Sequence, residues 1–124
     1  MKRLVVCLCA LVLSGSGLLV SQATREVDIT GYYNETDGEY TRIVKNGDVY
    51  LYLSRLKAGD WVGVGIRDGD RLAIAWQRSD GRNLGVSHYR IEADARGPSL
   101  VGNWTSLESS RLGADRQTFS RKLD

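Results

Sequence analysis

His88 is the only histidine of the chain, and the two cysteines, Cys7 and Cys9, both fall near its start. A zinc site at His88 would have to be completed by carboxylates alone, a ligand set that zinc does not favour. Ser87 precedes His88, but successive residues of a strand point to opposite faces, so the two cannot form a nucleophile–base dyad. The other serines beyond residue 23, at positions 54, 79, 99, 106, 109, 110 and 120, sit in no nucleophile-elbow pattern, and no Ser-His-acid triad is spelled out. Carboxylates pair at Asp68 and Asp70 and again at Glu92 and Asp94. Glycoside hydrolysis needs two acids facing one another across a cleft, about 5–9 Å apart. Here the first pair brackets Gly69 in a turn and the second ends a strand. Asp68-Gly69-Asp70 supplies far fewer oxygens than a calcium loop requires. These residue types argue against an enzyme and call for neither a metal nor a cofactor.

The aromatic residues carry a stronger signal. Trp61, Trp76 and Trp104, with Tyr50 and Tyr52, form the candidate ligand-binding set. Gathered at a barrel mouth, they would hold a small apolar molecule or a sugar ring. Packed inward, they would fill the core of a small β domain that has no disulfide. Both readings stay open on sequence alone. Arginine outnumbers lysine twelve to three beyond residue 23, and Arg67, Arg71, Arg78, Arg82 and Arg90 are interleaved with Asp68, Asp70, Asp80 and Glu92. That alternation predicts cross-strand ion pairs on a solvated face or, on the sharper reading, a surface that meets another protein.

The segments that must position these residues begin after an export signal. Met1-Lys2-Arg3 is a short positive start, Leu4 to Leu13 is an apolar run, and Ser21-Gln22-Ala23 is a cleavage-type ending, so residues 1–23 read as a signal peptide. Ser14-Gly15-Ser16-Gly17 breaks the apolar stretch below what a transmembrane helix needs. Both cysteines and two cations leave with the signal and no acid does, so residues 24–124 carry 15 basic and 15 acidic side chains. A balanced charge excludes a nucleic-acid binder and a polybasic membrane-surface protein, which need a cationic face. The expectation is a secreted or periplasmic protein with one domain over 24–124, no disulfide, and no membrane span once the signal is removed.

Within that domain, Asp37-Gly38, Asn46-Gly47, Asp68-Gly69 and Asp80-Gly81 mark turns. Between them, runs rich in Val, Ile, Tyr and Trp alternate with a period of two. Strands are predicted at 28–33, 40–45, 48–54, 60–67, 70–78, 84–92, 98–104 and 116–121, with Ser106 to Ala114 as a loop. A two-residue loop at Asn46-Gly47 sets Ile43 opposite Tyr50 and Thr41 opposite Tyr52. The same geometry at Asp68-Gly69 sets Gly65 opposite Leu72, Gly63 opposite Ile74, and Trp61 opposite Trp76 as a stacked pair. Both faces of this second hairpin are apolar, because Val62, Val64, Ile66, Ala73 and Ala75 occupy the reverse side. A strongly curved meander that closes on itself accommodates such a hairpin. A faint internal echo supports repeated hairpins: Leu72 to Trp76 and Leu100 to Trp104 both read Leu-x-x-x-Trp.

The order Gly31-Tyr32-Tyr33, Asp37-Gly38-x-Tyr40, Gly47-Asp48-x-Tyr50, Gly63-x-Gly65-Ile66, Gly69-Asp70-x-Leu72-Ala73-x-Ala75-Trp76, Gly85-Val86-x-x-Tyr89-x-Ile91 and Leu100-x-Gly102-x-Trp104 resembles a group of small exported bacterial proteins of unassigned function. Some members of that group are labelled fibronectin-binding. The resemblance covers most of the chain beyond the signal and implies fold more than activity, because its motifs are spacings of glycine and aromatic residues. The group's Gly-Thr-Glu-like segment after the last Trp has Leu112-Gly113-Ala114-Asp115 as its nearest match here. Leu100-Val101-Gly102-Asn103-Trp104-Thr105 is more distantly similar to strands of avidin-like and lipocalin-like (calycin) barrels, with no ligand residue that transfers position by position.

These readings combine into an all-β, antiparallel up-and-down meander, a closed or nearly closed barrel of seven or eight short strands. The expected function is that of an exported, non-enzymatic binding protein acting through its exterior on a macromolecular partner. The alternative is a small-molecule carrier with an aromatic-lined barrel pocket. Whether Trp61, Leu72, Ile74 and Trp76 pack against Tyr50 and Tyr52 with or without a void separates the two.

Overall fold

Period-two alternation punctuated by glycine turns builds eight antiparallel strands in the computed structural model, which describes residues 25–124. The signal peptide expected over 1–23 lies outside the described residues. The strands are β1 (Gly31–Thr36), β2 (Glu39–Asn46), β3 (Val49–Leu56), β4 (Gly59–Asp68), β5 (Arg71–Arg78), β6 (Gly85–Asp94), β7 (Gly97–Ser106) and β8 (Gly113–Arg121). Each pairs with its chain neighbour, and β1 pairs with β8, so the meander is a closed barrel. Closure removes the unpaired strand edges of an open sheet. The first strand begins later than the alternation predicts, and the last extends back to Gly113.

Two hairpin registers differ from expectation. Asp37 and Gly38 do form a two-residue loop with positive φ at both positions, 43° and 82°, as a type I′ turn requires. In the next tight hairpins the loops are Gly47-Asp48 and Gly69-Asp70, because Asn46 pairs with Val49 and Asp68 with Arg71. Glycine takes the first loop position at φ 60° and 57°, the placement of a type II′ turn, so Asn46 and Asp68 extend their strands. Ile43 therefore faces Tyr52, Gly65 faces Ile74, Gly63 faces Trp76, and Trp61 faces Arg78 rather than Trp76. Thr41 faces Ser54. A slip of two residues keeps every side chain on its face, so the residues grouped on each face stay together as predicted.

The inward set closes one end of the barrel and leaves the other open. At the closed end Ile29, Tyr33, Ile43, Leu72 and Leu100 are completely buried. The Tyr33 hydroxyl donates to the Ile29 carbonyl at 2.6 Å. Arg67 reaches inward as well: its guanidinium donates to the carbonyls of Val27 and Gly69 and pairs with Glu26 at 2.9 Å. The seam between β1 and β8 is irregular at Tyr32 and Tyr33, and Asn34 stitches it. The Asn34 side chain accepts from the Thr118 N–H at 2.8 Å and donates to Gln117 Oε1 at 2.8 Å. Phe119 packs edge-on against Tyr33, with ring centroids 5.7 Å apart.

The outward set is less polar than a solvated barrel face. Val44, Leu51, Val64, Ala75 and Val86 form one continuous cross-strand row over β2 to β6. Val62, Val64, Ile66 and Val86 are each roughly half exposed or more. Apart from Arg67, which reaches Glu26, the arginine cluster pairs with acids close by in the chain. Arg78 and Arg82 share Asp80, Arg90 meets Glu92 two residues on, and Arg71 lies 4.0 Å from Asp70. Arg90 and Glu92, two apart on β6, share a face, and such exposed pairs contribute only about 0–1 kcal/mol each.

Candidate ligand-binding cavity

The open end of the barrel holds a cavity of about 620 Å³, inside the range of roughly 300–1,000 Å³ over which proteins hold small ligands. Inward positions of six strands build it: Thr41 from β2, Tyr52 and Ser54 from β3, Trp61 from β4, Trp76 from β5, Trp104 from β7, and Asp115 and Gln117 from β8. Asn83, from the connection between β5 and β6, reaches its rim.

The indoles stand on glycines. Trp76 lies between Gly63 of β4 and Gly85 of β6 in one cross-strand row, and Trp104 is paired with Gly113 of β8. With no side chain at Gly85 and Gly113, the Trp76 and Trp104 rings lie directly against those backbones. Trp76 Nε1 donates to Ser87 Oγ at 2.8 Å, which satisfies its buried N–H and fixes its rotamer. Trp76 and Trp104 meet edge to face, with centroids 6.3 Å apart and planes at 65°. These are the two tryptophans of the Leu-x-x-x-Trp echo. Trp61 is not stacked on Trp76; its ring faces the Arg78 guanidinium, 5.8 Å from the centroid.

The opposite wall is polar and connected. Thr41 Oγ1 and Ser54 Oγ share a hydrogen bond of 3.1 Å across β2 and β3. The Tyr89 hydroxyl donates to Asp115 Oδ2 at 2.6 Å, and Gln117 Nε2 donates to the same oxygen at 2.6 Å. Burial raises the Tyr89 phenol well above its ordinary value, with the nearby Tyr52 and Asp115 adding to the shift. Burial also raises Tyr52, against the opposing pull of the Ser54 and Thr41 hydroxyls. Both phenols therefore stay protonated and available as donors or acceptors. Arg116, next in sequence to Asp115, turns outward to Glu92 at 3.7 Å, as alternation along a strand dictates.

Four of the five aromatic residues singled out from the sequence, Tyr52, Trp61, Trp76 and Trp104, line this cavity. Tyr50 does not: it is buried in the core toward the closed end, with the Lys45 ammonium 5.8 Å from its ring. The polar wall was missed. Thr41 shares the parity of Ile43, Ser54 that of Tyr52, and Asp115 and Gln117 that of Phe119, so alternation held the signal. Asn83 sits in a loop, where no periodicity applies. His88 is exposed on the outside, beside Arg71 and Arg90 in a shallow depression, and is not placed to activate Ser54 or Thr41.

The arrangement defines a small closed up-and-down barrel whose open end is half aromatic and half hydrogen-bonding. No family model, no curated protein and no solved structure matches the chain.

Proposed function

We propose that the protein is an exported, non-enzymatic carrier that holds a small molecule in the open end of its barrel. The cavity of about 620 Å³ bounded by Tyr52, Trp61, Trp76 and Trp104 carries this reading. Trp76 and Trp104 touch edge to face, yet together with Trp61 and Tyr52 they do not fill the end of the barrel that they line. Here the wide end keeps a space between an aromatic wall and a polar one, the usual layout of a site that binds by shape and orients by hydrogen bonds. Native mass spectrometry of the protein purified gently from its producing cells tests the proposal. A reproducible adduct on the barrel that is lost on denaturation supports a carrier; a clean mass with no adduct overturns tight carriage.

A second reading rests on the exterior. The cross-strand row from Val44 to Val86 borders a groove of about 800 Å³ lined by Leu51, Leu53, Val62 and Leu84. Apolar faces of this kind are unusual on isolated soluble proteins and mark contact with another macromolecule. The fibronectin-binding label carried by some resembling proteins belongs with this reading. Surface plasmon resonance on immobilised fibronectin tests it, and no response would remove that partner.

A further inference from the structure

We propose that the cavity selects a protonated organic amine carried on a flat apolar body; the inference rests on the carrier reading and names its ligand class. Charge comes first. Two carboxylates, Asp115 and Glu39, line the cavity, and among the described residues no Lys or Arg lines it. The guanidiniums near the rim are committed elsewhere, Arg55 to Asp60 and Arg78 to Asp80. An anion entering this space would meet two like charges and no cationic partner. A neutral guest would leave the Asp115 carboxylate facing a dewetted lumen with only the Tyr89 and Gln117 donors on one of its oxygens, and desolvating an unpaired charge is costly. A cation resolves both problems.

The walls fit the same guest. Aromatic faces attract cations through the ring quadrupole, tryptophan most strongly, and three indoles and two phenols, those of Tyr40 and Tyr52, bound this space. Trp61 already accepts such a contact from Arg78. Asn83 stands at the rim, and its Oδ1 is, among the described residues, the one buried side-chain nitrogen or oxygen with no hydrogen-bond partner. Asn83 is held at φ 52°, so the loop keeps a residue there in a conformation that most side chains avoid. An ammonium that carries N–H bonds donates to the Asp115 carboxylate, which a quaternary nitrogen cannot do.

The test is isothermal titration calorimetry of the purified protein at neutral pH and low salt with four matched probes: phenethylamine, its N-trimethylated form, phenethyl alcohol and phenylpropanoate. We expect phenethylamine to bind at least about tenfold more tightly than the alcohol, the trimethylated form to fall between them, and phenylpropanoate not to bind. Asp115→Asn removes the advantage of the amine: the amine binds more weakly, and the alcohol binds as tightly as before or more tightly. Because that variant disturbs the Tyr89 and Gln117 hydrogen bonds, Glu39→Gln provides a second one at the rim, with a smaller loss in the same direction. Alcohol binding as tight as amine binding, or any binding of phenylpropanoate, overturns the ligand class while the carrier reading stands. If none of the four binds, the native-mass adduct decides: a ligand with a basic nitrogen supports the class, one without overturns it, and no adduct overturns class and carrier together.

Discussion

Gly85 lies directly under the indole of Trp76: a Cβ at position 85 would come within 2.3 Å of Trp76 Cη2 and 2.5 Å of the Thr105 carbonyl oxygen. Contacts that short do not exist in folded proteins, and the backbone oxygen cannot move without opening the β6–β7 ladder. Gly85→Ala is therefore expected to destabilise the barrel by about 1–3 kcal/mol and to shift Trp emission as the indole is displaced. Shortening the partner tests the cause. The double variant Gly85→Ala/Trp76→Leu should cost less than the sum of its single variants in denaturant unfolding, whereas additivity would assign the damage to the backbone contact alone.

Asn34 hydrogen-bonds across the irregular β1–β8 seam, where Glu35 also meets Arg121. Asn34→Ala removes the acceptor of the Thr118 N–H and the donor to Gln117 Oε1, and places alanine at φ 48°. A loss of about 1–3 kcal/mol follows from the two hydrogen bonds and the strained backbone. Asn34→Gly relieves the strain and restores neither hydrogen bond, so it should recover only part of that loss. Hydrogen exchange at the Thr118 amide should quicken in both variants.

Stability should fall at alkaline pH. Burial raises the Tyr33 and Tyr89 phenols above the ordinary value of 10.0, so the folded protein keeps protons that the unfolded chain releases. The stabilisation from each is fully present below pH 10 and is lost as pH rises toward the folded values, at about 1.4 kcal/mol per pH unit for each tyrosine. In a spectrophotometric titration, the phenolate absorbance of these two residues should emerge together with unfolding. Ionisation of both while circular dichroism still reports a folded barrel would contradict the burial.

Core and exterior should respond differently to truncation. Leu72 is fully buried and Ile66 is 64% exposed, although they lie on strands of the same hairpin. Leu72→Ala should cost about 2–5 kcal/mol and Ile66→Ala less than about 0.5 kcal/mol, read from denaturation midpoints. A large cost at Ile66 would mean that the outer row is covered in solution, and sedimentation velocity would then reveal the association.

Much of the barrel was legible in the residues because strand alternation is a local signal. The residues sharing each face along β2 to β5 came out correctly even though two hairpin loops were placed one residue early, since the resulting slip of two residues leaves each side chain on its face. Turn chemistry was weaker, because Asn-Gly and Asp-Gly suit a type I′ loop, whereas Gly47-Asp48 and Gly69-Asp70 put glycine first. The expected stack of Trp61 on Trp76 fell with that register.

By itself, then, the amino-acid order determined an all-β meander, its faces and the aromatic character of one set of inward positions, all of which depend on neighbours a few residues apart. Only the tertiary structure decided that β8 closes on β1, that Trp76 meets Trp104 across the barrel, and that Asn34, Gln117, Asp115 and Tyr89 join into one hydrogen-bonded wall. Those contacts join residues far apart in the chain. The cavity follows from them: its volume is what remains between side chains delivered by most of the strands, and that difference exists only once the ring of strands is closed.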